Sequence, residues 1–547
     1  MYSRIFLSIG AYITIKQINN QTKLQLLSTP AADHWKKIGI RHHHGINLPL
    51  FSLHSQNSCG IGEYPDLLPM ITWCRQTGFD VIQLLPLNDT GDESSPYCAI
   101  SANALNPIHL GLTKLTGINN NLLLQQQINE LQKLNSLKNI DYKQIRQLKE
   151  KFFSDYYQTQ VASLPLHKEY QEFKWKNPWL LGYAFFKVLK KQFNWQSWEL
   201  WPEYLKNPDL TRLEEMSSVP EIHHEMEFYI FIQFLCFQQI EEVRQFATEN
   251  NIFLKGDIPI LINKESADVW LNRKLFLMQY TAGAPPDMYS KEGQNWGFPI
   301  YDWSALQNEF YQWWIERLKV ASCCYHMYRI DHIVGFYRIW AILNGHKPKE
   351  GIFIPEDESS WIPQGDAIMR MMLNNCPMLP IGEDLGTIPE EVRSNLKSLG
   401  ICGTKVMRWE RYWLSNKAFI DPLDYDEESM STVSTHDSET LQLWWTHQPE
   451  AKLYAKTMGW KYQSELTQEH RISILQACHQ SGSLFHINLF QEYLALIPDL
   501  SWPNPEDDRI NFPGTVSERN WTYRFKPSVE EIVQNQALKL IISQILT

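Results

Sequence analysis

The chain contains no apolar run approaching the ~18 residues that a membrane-crossing helix needs. Its nearest candidate, residues 5–15 after Arg4, is interrupted by Ser8, Gly10 and Thr14, and no small-x-small cleavage site follows. Neither a membrane span nor a signal peptide is therefore expected. Positive charge is also short: 50 Lys and Arg stand against 61 Asp and Glu, a net charge of -11, with no basic stripe. That balance excludes nucleic acid and anionic membranes as partners, because both repel an acidic surface. The nine cysteines are scattered and form no C-x-x-C pair. This pattern speaks against a disulfide framework or a zinc site, and for reduced thiols in a cytoplasm. No Gly-rich phosphate turn opens the chain, which removes the main support for a doubly wound dinucleotide-binding sheet.

What is present is a large, ordinary globular composition. With 547 residues, 44% hydrophobic and 20% charged, the chain exceeds the ~250–300 residues at which a single core stops growing, so one large body with insertions is expected. Eight short apolar runs bounded by polar, Gly or Pro positions read as strands: 46–53, 81–87, 252–258, 326–331, 379–383, 404–409, 432–435 and 484–489. Helix-length stretches separate most of them. Eight strands alternating with helices make the expected fold an α/β (β/α)₈ TIM barrel. The ~160 residues between the second and third runs are too many for a loop. Residues 112–225 are expected to form a mainly helical subdomain inserted in a barrel that spans 41–547 and overhanging its mouth. Residues 1–40 are expected to be an N-terminal extension with little order of its own.

Barrel enzymes carry their chemistry at the C-terminal ends of the strands. Asp257, Asp331, Glu383 and Asp437 fall at or just past such ends. A single Asp after a strand is commonly the N-cap of the next helix, but several carboxylates converging on one pocket suit the cleavage of glycosidic bonds. That reaction needs one ionised carboxylate as nucleophile and one protonated carboxyl as acid and then base. Arg329 and Asp331 are two apart on a strand, so they share a face, where the guanidinium favours the charged form of Asp331. Ile381, two residues before Glu383, gives that carboxyl a less polar setting, which suits an acid.

Eight blocks then carry a resemblance: GIGEYPDLL from Gly60, SPYCAISANALNP from Ser95, KGDIPI from Lys255, APPDMYSKEGQNWGFPIY from Ala284, YRIDHIVGF from Tyr328, IGEDLGTIPEEV from Ile381, STHDSETL from Ser434 and NFPGTVSERNW from Asn511. Together they resemble the 4-α-glucanotransferases (amylomaltases, or disproportionating enzymes) of the α-amylase clan. The resemblance implies Asp331 as nucleophile, Glu383 as acid/base and Asp437 as the third carboxylate, with Arg329, His436 and Asp257 as charge and hydroxyl partners. It implies substrate contacts from Tyr97, Ser95, Trp296, Gln294 and Asp287, and a cover over the acceptor side in residues 284–301, including Tyr289. The implied substrates are maltooligosaccharides and glucans derived from starch or glycogen, with no metal or organic cofactor, and a monomer or weak homo-oligomer is expected. Val334, Cys98–Ala99 and Ser438–Glu439 depart from the commonest family residues and bear on the preferred acceptor.

Two other readings of the residues are a hydrolase of the same clan and a Mg²⁺-dependent barrel lyase. The second wants a Lys or His base and no Arg beside its carboxylates, and Arg329 counts against it. His42, His43 and His44 lack metal-ligand spacing and read as a solvated segment at the barrel entrance. Trp175, Trp179, Trp195, Trp198 and Trp201 are expected to pack the insertion.

Overall fold

A computed structural model describes residues 17–208, 210–287, 290–447 and 449–547 of the chain. Eight parallel strands form the barrel: His43–Asn47, Val81–Gln83, Phe253–Ile258, Met327–Ile330, Leu379–Gly382, Gly403–Val406, Ser429–Thr432 and Phe485–Leu489. They are called the first to eighth barrel strands below. The eighth pairs with the first in parallel, and the fifth meets the sixth through an Ile381–Cys402 bridge. The sheet is therefore a nearly closed barrel. Gly45 permits the close approach of the first two strands, since a Cβ there would lie 2.6 Å from the Val81 carbonyl oxygen.

The crossovers follow from local sequence. Helix Glu390–Leu399 buries Val392, Leu396 and Leu399, carries two acids in its first turn and Lys397 in its last, and stops at Gly400 with φ 79°. Charges complementing the helix dipole and a left-handed glycine at the end are what such a segment needs. Between the sixth and seventh strands only 3₁₀ turns occur, at Met407–Trp409 and Pro422–Asp424. No α-helix therefore connects these two strands.

Some strand expectations shift in the structure. The first strand starts at His43 and ends at Asn47, because Pro49 offers no N–H to the ladder and Leu50–Ser52 turns as a 3₁₀ helix. The histidine run is not solvated and does not lie at the mouth. His43 is fully buried at the foot of the barrel, stacked on Phe485 at 4.9 Å and bonded through Nδ1 to Asp80 Oδ2 at 2.7 Å. His44 stacks on His486 at 5.0 Å.

Residues 1–16 lie outside the described residues, while Asn20–Leu26 and Ala32–Ile38 are helices on the barrel. Trp35 Nε1 donates to the Gly400 carbonyl at 2.9 Å. The stretch after the second strand contains helices Leu122–Gln132, Tyr142–Gln160, Lys168–Lys176, Trp179–Gln192, Glu203–Lys206 and Leu210–Ser217, then the long crossover helix Pro220–Glu249. Trp198 and Trp201 are buried there, whereas Trp175 is 82% exposed and packs nothing. Lys149, on Tyr142–Gln160, ties this region to the barrel by donating to Glu63 Oε1 at 2.6 Å and to the Ile108 and Leu110 carbonyls.

A second sheet was not expected from the sequence. Phe276–Ala284 and Gln294–Tyr301 form an antiparallel hairpin that continues into Ile339–Leu343 and Ile352–Ile354. The segment read as a loop over 284–301 is thus a hairpin whose second arm is a strand.

Candidate active site

The site is built on the third and fourth barrel strands. Asp257 pairs in register with Arg329, and residues at alternate positions share a face. Arg329, Asp331 and the buried Asp257 consequently meet inside the barrel mouth. Arg329 Nη1 lies 2.9 Å from Asp257 Oδ1 and 2.7 Å from Asp331 Oδ1, while Nη2 lies 4.0 Å from Glu383 Oε2. One guanidinium thus faces three carboxyl groups.

Glu383 follows the fifth strand, with its backbone N–H donating to the Ile330 carbonyl. Burial, only partly offset by Arg329, raises its carboxyl to about 8. At neutral pH it therefore keeps a proton to give. Its Oε2 accepts from the His332 backbone N–H at 2.9 Å. His332 reaches that position through a left-handed backbone, φ 44°, a conformation that costs energy in a non-glycine residue and is characteristic of functional sites.

On the opposite side, Tyr97 Oη donates to Asp257 Oδ2 at 2.8 Å and stands 3.0 Å from His436 Nε2. Because the tyrosine proton is already given, His436 carries its proton on Nε2 and donates it toward Tyr97 and toward Asp437 Oδ2, 3.3 Å away. Asn511 Nδ2 donates to the other Asp437 oxygen at 2.7 Å. Burial alone would push Asp437 upward, but His436 and Asn511 outweigh it and hold the carboxyl down at about 2. Asp437 is therefore a permanent negative charge on the cleft wall. Trp521 closes the back of this group, 5.6 Å from Tyr97 and 5.9 Å from His436 between ring centroids.

The inserted helices support the Tyr97 loop. Arg146 donates to the carbonyls of Asp92 and Glu93. Tyr183 Oη and Lys187 Nζ bind Asp89 Oδ2 at 2.7 and 3.1 Å. These residues precede Tyr97 on one loop, so the insertion fixes a side chain of the site.

The remaining sequence candidates divide. Trp296 stands edge to face against His332 at 5.0 Å, and Gln294 Oε1 accepts from its indole N–H at 3.1 Å. Ser95 serves the turn that presents Tyr97, accepting from the Tyr97 N–H at 3.4 Å. Asp287 is exposed on the cleft rim, with its backbone tied to Ser290. Tyr289 lies outside the described residues. The sequence reading did not single out His332, Asn511 or Trp521. Asn511 and Trp521 bound the last quoted block, which was the available signal.

Arg329, Glu383, His436 and Asp437 line a cleft of about 1160 Å³, with Asp287 also in its lining and Trp409 and Trp413 farther along. Such a cleft, with a buried protonated carboxyl, a paired carboxylate and flat indoles, suits an extended sugar chain.

Comparison with known proteins agrees with this geometry. The family model for 4-alpha-glucanotransferase matches residues 48–530. A 4-alpha-glucanotransferase of Chlamydia pneumoniae is 45% identical over 526 residues, covering 95% of this chain and 98% of its own. A chloroplastic/amyloplastic 4-alpha-glucanotransferase of Solanum tuberosum is 29% identical, covering 86% of this chain and 80% of its own. The solved amylomaltase of Streptococcus agalactiae in complex with acarbose shares the fold, with a TM-score of 0.79 at 23% identity over 93% of this chain and 99% of that one. With its barrel, its cleft and a match along most of its length, the chain belongs to the 4-alpha-glucanotransferases, glycoside hydrolase family 77, enzymes that transfer segments of glucan.

Proposed function

We propose that the enzyme transfers α-1,4-glucan segments by double displacement, with Asp331 as nucleophile, Glu383 as acid/base and Asp437 as the charge that stabilises the transition state. The observation that carries this reading is the contrast between the two carboxyl groups around Arg329. Asp331 is in a 2.7 Å ion pair, while burial keeps Glu383 protonated up to about pH 8. In the first step Asp331 attacks the anomeric carbon, the glycosidic C–O bond breaks, and the Glu383 proton goes to the departing 4-oxygen. In the second, the 4-hydroxyl of an acceptor glucan gives its proton to the Glu383 carboxylate and attacks the anomeric carbon, releasing Asp331. Two inversions give retention. The fixed negative charge of Asp437 favours the oxocarbenium-like states between them.

Maltooligosaccharides and glucans of the starch or glycogen type are the proposed donors and acceptors. Their rings would stack on the indoles of the cleft. The segment 285–293 between the two hairpin arms, which carries Asp287 and is followed by Trp296, is proposed to cover the acceptor side and shield the intermediate from water. A cytoplasmic location accords with nine free thiols, and no helix among the described residues is long and apolar enough to cross a membrane. A monomer or weak homo-oligomer is the proposed state.

The test is a chromatographic time course with maltotriose alone, beside Asp331→Asn. The expected result is a ladder of longer maltooligosaccharides plus glucose that the variant loses. Maltose and glucose without longer products would replace transfer with hydrolysis, and a ladder undiminished in the variant would remove Asp331 from its role.

A further inference from the structure

Lys255 is fully buried inside the barrel on the third strand, two residues before Asp257 and therefore on the same inward face. The strand registers place Asn47, Gln83 and Lys255 side by side across the first three strands. Asn47 and Gln83 line the cleft, so these three side chains make a polar layer one step below the Asp257–Arg329 pair. Among the described residues the Lys255 ammonium donates to Gln83 Oε1 at 2.8 Å and meets Met430 Sδ at 3.1 Å, and no carboxylate forms an ion pair with it. A buried ammonium held by one amide and a thioether is costly, and a well-packed apolar residue would be the cheaper filler.

The layer above gives that charge a use. Asp257, Asp331, Glu383 and Asp437 gather there around a single guanidinium. We propose that Lys255 is a positioning residue for the transfer reaction, a second cation beneath the catalytic carboxyl groups that offsets their mutual repulsion through Asp257 and Arg329. The inference rests on the roles assigned above to Asp331 and Glu383. The charged or titratable groups that act on Lys255 are Asp257 on its own strand, Arg329 on the fourth and the Cys402 thiol before the sixth. Its nearest neighbours on the second and seventh strands, Gln83 and Met430, carry no charge. Burial first, and then the Arg329 charge, lowers the ammonium to about 7, so the second cation is fully present only on the acid side of neutrality.

A cation near a carboxyl group favours its ionised form. Removing the cation therefore moves to higher pH the ionisation of those carboxyls in the layer that ionise while it is present. The test is the pH profile of kcat/KM with maltotriose for Lys255→Met, which keeps length and volume and removes the charge, alongside a thermal melt to establish folding. The acid limb of the profile is expected to move upward by about half a pH unit or more, while the alkaline limb, where the Lys255 ammonium is already largely neutral, stays in place. An acid limb that stays in place in a folded Lys255→Met enzyme would reduce Lys255 to a core filler and overturn the proposal. Should that variant not fold, Gln83→Leu, which takes away the ammonium's amide acceptor, is expected to move the same acid limb in the same direction, and an unmoved acid limb there overturns it equally. Asp331→Asn run in parallel separates the two readings: an active Asp331→Asn enzyme refutes the nucleophile assignment, whatever the Lys255 variant does.

Discussion

Asn511 donates an amide N–H to Asp437 at 2.7 Å across 74 residues of chain. The bond joins the loop after the last barrel strand to the carboxylate beyond the seventh, and it helps keep that carboxyl down at about 2. Asn511→Ala is expected to lower kcat/KM for maltotriose by roughly 10- to 100-fold, the range for losing a hydrogen bond to a charged group. Since Asp437 then ionises at higher pH, the loss should deepen as the assay is made acidic. A loss that is constant across pH would assign Asn511 to loop folding alone.

Glu383→Gln removes the proton donor while conserving shape. Its kcat with maltotriose is expected to fall by about 10²- to 10⁴-fold. A maltosyl donor with an aryl leaving group that departs without protonation should recover much of the rate of glucosyl-enzyme formation, seen as a burst of released phenol. Equal losses on both donors would mean that Glu383 is not the acid.

The cover proposed for residues 285–293 is tested by removing it. Replacing residues 285–293 by a short Gly/Ser turn, with Phe276–Ala284 and Gln294–Tyr301 retained, should raise the ratio of hydrolysis to transfer, read as reducing ends formed per glucan transferred. An unchanged ratio would show that the segment does not exclude water.

Lys149 and Glu63 form an ion pair with both side chains buried. Burial raises Glu63 to about 7 despite the lysine. Lys149→Met leaves that carboxyl without its cation and the Ile108 and Leu110 carbonyls without a donor. Denaturant unfolding should show a loss of about 3–5 kcal/mol, the usual cost of breaking a buried pair from one side. Adding Glu63→Gln to Lys149→Met should restore part of that stability, and a double variant as weak as the single would argue that the lysine's bonds to backbone dominate.

The histidines at the barrel foot give a pH dependence with a definite sign. Burial lowers His44 to about 4 and holds His479 and His486 well below the ordinary imidazole range, against about 6.5 in an unfolded chain. The unfolded state binds more protons between those values, so the stability these groups contribute is complete above about pH 6.5 and falls as pH drops toward 4. Buried acids such as Glu63 and Asp508, both raised to about 7, act in the opposite sense, so the informative quantity is a difference between variants. His486→Phe should show a smaller fall in Tm between pH 7 and pH 5 than the parent enzyme, and parallel curves would rule the cluster out as the source.

Most of the barrel was legible because most of its strands are short apolar runs with polar punctuation, a pattern that depends on neighbours in sequence, whereas the seventh, Ser429–Thr432, is polar at three of its four positions and begins before the run 432–435 expected for it. The first strand escaped that logic at its start, since His43 and His44 are polar by type and buried only by stacking on Phe485 and His486 from the eighth strand. The second sheet escaped it as well. Its strands alternate irregularly, with register shifts between Leu277 and Gly283 and with Gly297 and Pro299 inside the partner arm, features that read as loop.

The amino-acid order by itself determined the eight-strand alternation, the placement of Asp331 and Glu383 at strand ends, and the shared face of Arg329 with Asp331, because each depends on a local period. Only the tertiary structure decided that one guanidinium faces three carboxyl groups, that an insertion helix holds the Tyr97 loop, and that Asn511 and His436 keep Asp437 charged. Apart from His436 beside Asp437 and Arg329 beside Asp331, those relations join residues tens to hundreds of positions apart. Burial and hydrogen-bond geometry at such separations are set by how the elements pack, which no local pattern encodes.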